Sequence, residues 1–277
     1  MQPPASESWA EVQFQDLMKV SPIFSIVIPT FNRPRLLERA VASVKRQSFR
    51  DFELIVVDDC SKTNYSEEVC EMVGVECTVL RSEKNSRASG ARNLGIRSAK
   101  GKYISFLDDD DEYEATFLEG TYETLRNTGS DVLMCWCSAT CIDYFADRKP
   151  LRSERTFSTQ YETDIELFEQ LMSIGTGFGV TVKAECFRRI GLFDSSIKTV
   201  EDADFFLRVL SSGYMPAVVP GTQVILHNHM AERLTGPDND DVRAKECHQL
   251  LSKYSDFLGH HPRLRAQLRS HLETLEK

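Results

Sequence analysis

No stretch of this 277-residue chain approaches the roughly 18–20 consecutive apolar positions of a membrane-spanning helix. Positive charge is also scarce: 33 Lys+Arg stand against 42 Asp+Glu, a formal net charge of −9. General nucleic-acid binding needs a basic face, so that class is excluded. A small anionic ligand is not, because a bound metal or a few arginines reverse the local field. Residues 1–20 carry Glu7, Glu11 and Asp16 and lack an apolar segment, so no secretory signal is expected. The eight cysteines include no paired CxxC and have no early histidine to complete a zinc site; even Cys135-Trp-Cys137 with Cys141 falls short of four ligands. They read as free thiols in a reducing compartment, which implies a cytoplasmic location. With 41% hydrophobic and 27% charged residues the remainder is an ordinary globular balance, without repeats or low-complexity tracts.

What is present alternates. Phe24–Pro29 is a short apolar run of the buried-strand kind. Leu36, Leu37, Ala40, Val41 and Val44 then recur at helical spacing, with Asn32 expected as N-cap and Pro34 near the start. Glu53–Val57 reads as a strand, 64–73 as helix, Glu76–Leu80 as strand, Ala88–Lys100 as helix and Lys102–Leu107 as strand. This rhythm implies βαβ units and a mostly parallel sheet, an α/β fold whose ligands gather at the carboxyl ends of the strands. After Leu125 the pattern loosens: 131–144 is strand-like, 163–174 helical, 178–183 strand-like, 184–191 and 202–211 helical, and 214–229 extended. Four segments follow: a polar leader 1–21, a regular half 22–125, a looser half 126–236, and a helical extension 237–277. In the extension, Leu264, Leu268, Leu272 and Leu275 beside Arg263, Arg265 and Arg269 predict an amphipathic helix packed on the body. The alternative is docking on a membrane surface or a partner subunit, including a second copy of the chain.

Both acidic clusters of the first half stand at strand ends. The run Asp108-Asp-Asp-Asp111 concentrates like charge and needs a reason. Hard Mg²⁺ or Mn²⁺ takes carboxylate oxygens and shares its remaining positions with phosphates, whereas a solvated, helix-capping loop is the plain alternative. Asp58-Asp59 can accept from a base edge or ribose, or close a turn. Glu201-Asp202 opens a helix, as ordinary caps do, but an acid held near an alcohol can also take its proton. All six histidines lie after residue 226.

Together Ser25–Arg33, Phe52–Ser61, Ala91–Arg97, Gly101–Asp111 and Ile190–Asp194 with Glu201-Asp202 stand in an order and spacing that resembles family 2 glycosyltransferases of the GT-A fold, over about residues 22–235. The resemblance implies an inverting transferase that moves a sugar from a nucleotide-diphosphate donor, UDP-linked by preference and bound by the half 22–125, to an acceptor hydroxyl bound by the catalytic half 126–236. Such enzymes serve polysaccharide or glycoconjugate synthesis. It implies that Pro29, Thr30, Phe31 and Arg33 wrap the nucleotide, that Asp59 reads the base and that Arg92 serves the nucleotide site. Asp108-Asp109-Asp110 stands as the DxD element, with Asp110 as metal ligand and Asp108 or Asp109 on ribose or ligand waters. The four-aspartate run leaves this register open by one. Asp202 is implied as the base, Glu201 as its neighbour, His229 as a later metal or diphosphate ligand, and Gly175–Phe178 as lining the sugar pocket. Arg233 is a weaker candidate for phosphate. Mn²⁺ or Mg²⁺ is the implied cofactor, and a glycan, lipid-linked or other hydroxyl compound the acceptor, with peripheral contact at the inner membrane face compatible with it. The Gln-x-x-Arg-Trp element of processive members is absent.

Rival readings are a sugar-nucleotide pyrophosphorylase, a phospho-accepting receiver domain and an inactive binding protein on the same fold. The first needs a Gly-rich loop after the first strand, where Pro-Thr-Phe-Asn-Arg stands. The second is near half this length and needs a partner lysine. The third is opposed by the presence of every acid named above.

Overall fold

The computed structural model describes residues 21–229 and 239–276. Residues 1–20 of the expected leader, and Arg233, lie outside them. The first half runs β1 (Phe24–Thr30), α1 (Pro34–Lys45), β2 (Phe52–Asp58), α2 (Ser66–Val73), β3 (Thr78–Arg81), α3 (Arg87–Ser98) and β4 (Tyr103–Phe106). The second runs β5 (Glu112–Tyr113), α4 (Phe117–Arg126), β6 (Val132–Asp143), β7 (Leu151–Arg155), α5 (Asp164–Leu171), β8 (Thr181–Lys183), α6 (Ala184–Ile190), α7 (Glu201–Ser211) and β9 (Met215–Asn228). Three helices close the chain: α8 (Asp240–Lys253), α9 (Ser255–His260) and α10 (Pro262–Leu275).

Among the described residues, one nine-stranded sheet runs β3-β2-β1-β4-β8-β6-β9-β5, with β7 paired to β6. The amino-terminal block is parallel throughout, as the βαβ rhythm requires. β8 then pairs antiparallel with both β4 and β6, joining the two halves in one sheet, while β6 and β9 pair in parallel. Phe24, Ile26, Val27 and Ile28 are wholly buried, because helices cover both faces of the central strands. Helix α1 buries Leu37, Ala40, Val41 and Val44 along one stripe. Its entry differs from expectation. Arg33 occupies the N-cap position, and Asn32 sits at φ +56° with its side-chain oxygen accepting from the Lys62 N–H at 2.8 Å.

Two other readings change. Cys70 and Cys77 form a disulfide, Cα to Cα 6.6 Å, across the turn from α2 to β3, so the expectation of eight free thiols fails there. Cys60, Cys135, Cys137, Cys141, Cys186 and Cys247 stay free. The extension also breaks at Tyr254 as well as at His261, giving three helices. Leu264, Leu268 and Leu272 of α10 are buried, which agrees with a helix packed on the body. No described helix is long and apolar enough to cross a membrane.

Candidate active site

Because β1, β2 and β4 are parallel, their carboxyl ends share one edge, and the acids just beyond them meet there. The four consecutive aspartates do four different things. Asp108 accepts from Arg92 Nη2 at 2.7 Å. Asp109 accepts from the Thr30 hydroxyl at 2.7 Å and from Arg33 Nη1 at 3.2 Å. Asp110 accepts from the same Arg33 nitrogen at 3.2 Å. Asp111 accepts the His227 backbone N–H at 2.9 Å and so ties the run to β9. Side-chain exposure alternates, 32% at Asp108, 7% at Asp109 and 19% at Asp110.

Burial raises the Asp109 carboxyl to about 6, against the lowering effect of Arg33. The Arg33 guanidinium answers in the opposite sense. Burial opposes its charge, but Asp109 and Asp110 outweigh that and hold its pKa above the ordinary value. Four carboxylates close together would repel; guanidinium groups interposed between them keep the cluster folded.

Arg92 carries the cluster into the second half. It lies on α3, is 4% exposed, and its Nη1 donates to Glu201 Oε1 at 2.9 Å. Burial works against its charge, yet Asp108 and Glu201 keep it firmly protonated. Glu201 and Asp202 form the first turn of α7. Burial raises both carboxyls, and Asp202, with the Glu201 charge beside it, reaches about 7. Asp202 Oδ1 accepts from the Ala203 N–H at 2.8 Å. Its other oxygen lies against Gly175, where an added Cβ would come within 2.8 Å. A Cβ on Gly177 would stand 3.1 Å from Asp111 Oδ2 and 3.3 Å from Asp108 Oδ2. The Gly175–Phe178 turn therefore forms a wall between both acidic groups.

The two late histidines separate. His227 is engaged on every side: Nε2 lies 3.0 Å from Glu112, Nδ1 lies 2.9 Å from the Tyr144 hydroxyl, and its N–H reaches Asp111. His229 stacks on Tyr144 with ring centroids 4.8 Å apart. Its Nε2 lies 3.3 Å from Arg39 Nη2, and the same nitrogen donates to the Asp110 carbonyl. His229 thus stands beside Asp110.

Asp59 joins the same edge through its N–H, which donates to the Thr30 carbonyl at 2.9 Å. Both its carboxylate oxygens accept from the Ser86 N–H, at 2.8 and 3.0 Å, and one also accepts from the Ser86 hydroxyl at 2.7 Å. It thereby secures the entry to α3. Pro29 and Thr30 end β1, and Phe31 beyond them is 42% exposed. Asp58 is taken up structurally by Arg81 and the Ser61 N–H.

Three residues at this edge escaped sequence reasoning. Arg39 lies on the polar stripe of α1, where arginine reads as a solvated charge. Tyr65, whose hydroxyl accepts from the Arg33 N–H at 3.0 Å, precedes α2 and looks like a loop aromatic. Tyr144 follows β6, and only the pairing of β6 with β9 brings it to the histidines. The one available signal was their place near element ends in an α/β chain.

Comparison with known proteins places the chain among relatives by sequence and by fold. The family model described as Glycosyl transferase family 2 matches residues 25–189. An uncharacterized glycosyltransferase of Rickettsia prowazekii is 31% identical over 189 residues, covering 68% of this chain and 58% of its own length. The chain therefore spans little more than half of that relative. The putative colanic acid biosynthesis glycosyl transferase WcaA of Escherichia coli K12 is 32% identical over 225 residues, 79% of this chain and 77% of that protein. Among solved structures, S. aureus TarS 1-349 in complex with UDP-GlcNAc superposes with a TM-score of 0.63 at 18% identity. The match covers 82% of this chain and 66% of that one. At that identity the likeness speaks for the fold alone, which is the GT-A fold.

Proposed function

The chain belongs to glycosyl transferase family 2, and on that premise we propose that it is an inverting transferase. It moves a sugar from a nucleotide-diphosphate donor, a UDP-sugar by preference, to an acceptor hydroxyl in polysaccharide or glycoconjugate synthesis. The observation that carries this reading is Arg92, which holds Asp108 of the strand-end cluster and Glu201, the neighbour of Asp202, on one guanidinium. A group suited to the donor diphosphate and a group suited to deprotonation are thereby fixed at one edge.

In this reading Thr30, Phe31 and Arg33 line the nucleotide with Pro29, and Asp59 stands at the base. The alternating exposure of Asp108, Asp109 and Asp110 supports the register in which the first and third face the donor and the second is structural. A divalent cation fits the donor set: hard carboxylate oxygens with one imidazole nearby, His229. No group of three or more acidic, His or Cys ligands is assembled among the described residues. Mn²⁺ or Mg²⁺, held by Asp110 with His229 beside it, would complete its shell from the diphosphate and water. When bound it supplies positive charge where the leaving diphosphate becomes more negative.

The chain's own residues do the rest. Arg33 and Arg39 stand beside Asp110, ready to meet phosphate oxygens. The Gly175–Phe178 turn leaves room for the sugar by having no side chain at positions 175 and 177. Asp202, at about 7, is poised to accept the proton of the attacking hydroxyl near neutral pH. One in-line displacement follows, with no covalent sugar–enzyme intermediate.

The test is Asp202→Asn. Transfer, followed as UDP release from a UDP-sugar, should drop by roughly 10²-fold or more, with UDP binding by calorimetry unchanged. Turnover within a few-fold of the parent protein would remove Asp202 from the role.

A further inference from the structure

Asp202 lies in the first turn of α7, and the backbone leading into that turn is held from the carboxyl-terminal extension. Glu246 of α8 is only 6% exposed. Its carboxylate accepts three hydrogen bonds, all from the two residues Lys198 and Thr199. These are the Lys198 N–H at 2.8 Å, the Thr199 N–H at 3.0 Å and the Thr199 hydroxyl at 2.6 Å. Charge-assisted bonds of this kind are the strong and directional ones. They fix the chain immediately ahead of Val200 and Glu201.

A second tie lies just beyond Asp202. Asp204, wholly buried, accepts from Lys253 Nζ at 2.6 Å and from the Tyr254 hydroxyl at 2.7 Å, both at the end of α8. A third lies on the other side of the site. Gln267 of α10 donates to the Glu169 carbonyl of α5 at 3.1 Å, and Arg263 donates to the Glu169 carboxylate at 2.7 Å. The chain leaving α5 runs on to Gly175, the residue against Asp202. Leu250, Leu258 and Leu264, all fully buried, anchor the three helices behind these contacts. The extension therefore grips both segments that flank the candidate base, while touching neither the aspartate run nor the nucleotide loop through any of these bonds.

Resting on the reading of Asp202 given above, we propose that the α8–α10 extension is a positioning device for the transfer step and that Glu246 is its positioning residue. Glu246 handles no substrate. It holds residues 198 and 199 so that α7 presents the Asp202 carboxylate to the acceptor hydroxyl. A displacement on the order of 1 Å at a reacting group costs about 10²-fold, so loosening this entry is read in turnover and not in donor affinity.

Glu246→Gln keeps the volume but offers a donor where three donors converge. UDP release is measured with Mn²⁺ and whichever of UDP-glucose, UDP-galactose and UDP-N-acetylglucosamine turns over fastest. The expected result is a kcat lowered by about 10- to 100-fold, with donor KM and the calorimetric Kd for UDP within about twofold. Hydrogen exchange should quicken by about tenfold or more at the amides of 197–204 and stay unchanged in β1–β4. Thr199→Val, which removes one of the three donors, should lower kcat in the same sense by a few-fold. Val69→Ala, a core change in α2 remote from this contact, should lower Tm while leaving kcat within twofold.

Unaltered exchange at 197–204, an unaltered kcat, or a loss confined to KM and Kd overturns the role of Glu246. The two failures are distinguishable. If Asp202→Asn is inactive and Glu246→Gln keeps the parent kcat, only the positioning role falls. If Asp202→Asn turns over normally, the base assignment falls and the positioning role with it.

Discussion

Arg92 Nη1 lies 2.9 Å from Glu201 Oε1, and its Nη2 lies 2.7 Å from Asp108 Oδ1, so one buried side chain couples an acid 16 residues further along the chain to one 109 residues further along. Arg92→Met would leave Glu201, 5% exposed, without its cation. Breaking a buried pair from one side costs about 3–5 kcal/mol, and urea unfolding should report a loss of that order, together with weaker UDP binding. A loss below about 1 kcal/mol would show the pair to be energetically no better than a surface one.

Asp202 gives a pH dependence with a definite sign. Burial and the neighbouring Glu201 raise its carboxyl from 3.8 to about 7. Turnover should therefore rise with pH up to about 7 and fall by about tenfold per unit below it. Stability should run the other way. Between 3.8 and about 7 the folded chain keeps a proton that the unfolded chain has released, so the contribution of this group falls as pH climbs through that window. Urea unfolding across pH 4–8 should show this fall, and Asp202→Asn should reduce it, leaving the part that the raised carboxyls of Asp109 and Glu201 contribute. An equal slope in the variant would assign the effect to other groups.

Gly175 is required by space. An added methyl would come within 2.8 Å of Asp202 Oδ2. Gly175→Ala should displace the carboxylate and lower kcat by about 10- to 100-fold, with UDP affinity preserved. A variant that instead loses UDP binding and keeps its kcat would relocate this turn to the nucleotide side.

Asp110→Ala and Asp109→Ala should differ in kind. Loss of Asp110, 19% exposed in its side chain, should abolish the difference between UDP affinity with Mn²⁺ and with chelator while leaving Tm within a few degrees. Loss of Asp109 should cost stability instead, since the Thr30 hydroxyl and the Arg33 guanidinium both lose the buried carboxylate they share. Metal-dependent affinity surviving in Asp110→Ala would transfer the ligand to another carboxylate.

Much of the amino-terminal half was legible because its segments are local. An apolar run, a turn and a helical stripe fall within one βαβ unit, and each acid of interest directly follows a strand. The same locality made 132–143, 201–211 and 215–228 readable as elements. β5 is two residues long and β7 is exposed at every position, so neither carries a burial pattern to read. Asn32 looked like a cap by residue type. The chain turns through a left-handed conformation there, and Lys62, not the helix, claims its side chain. The free-thiol reading rested on the absence of a leader pattern, which says nothing about whether α2 and the approach to β3 bring Cys70 and Cys77 together.

The sequence by itself determined the parallel strand block and the placement of Asp59 and Asp108–Asp111 at its carboxyl edge, because strand direction and burial follow from local pattern. It also determined that Glu201 and Asp202 open a helix. Only the tertiary structure decided what each carboxylate meets. Arg92 selects Asp108 and Glu201, Ser86 claims Asp59, His227 claims Asp111, and Glu246 reaches back to Thr199. Those partners come from elements far apart in the chain, and the choice among them depends on distances that exist only once the sheet has brought its halves together.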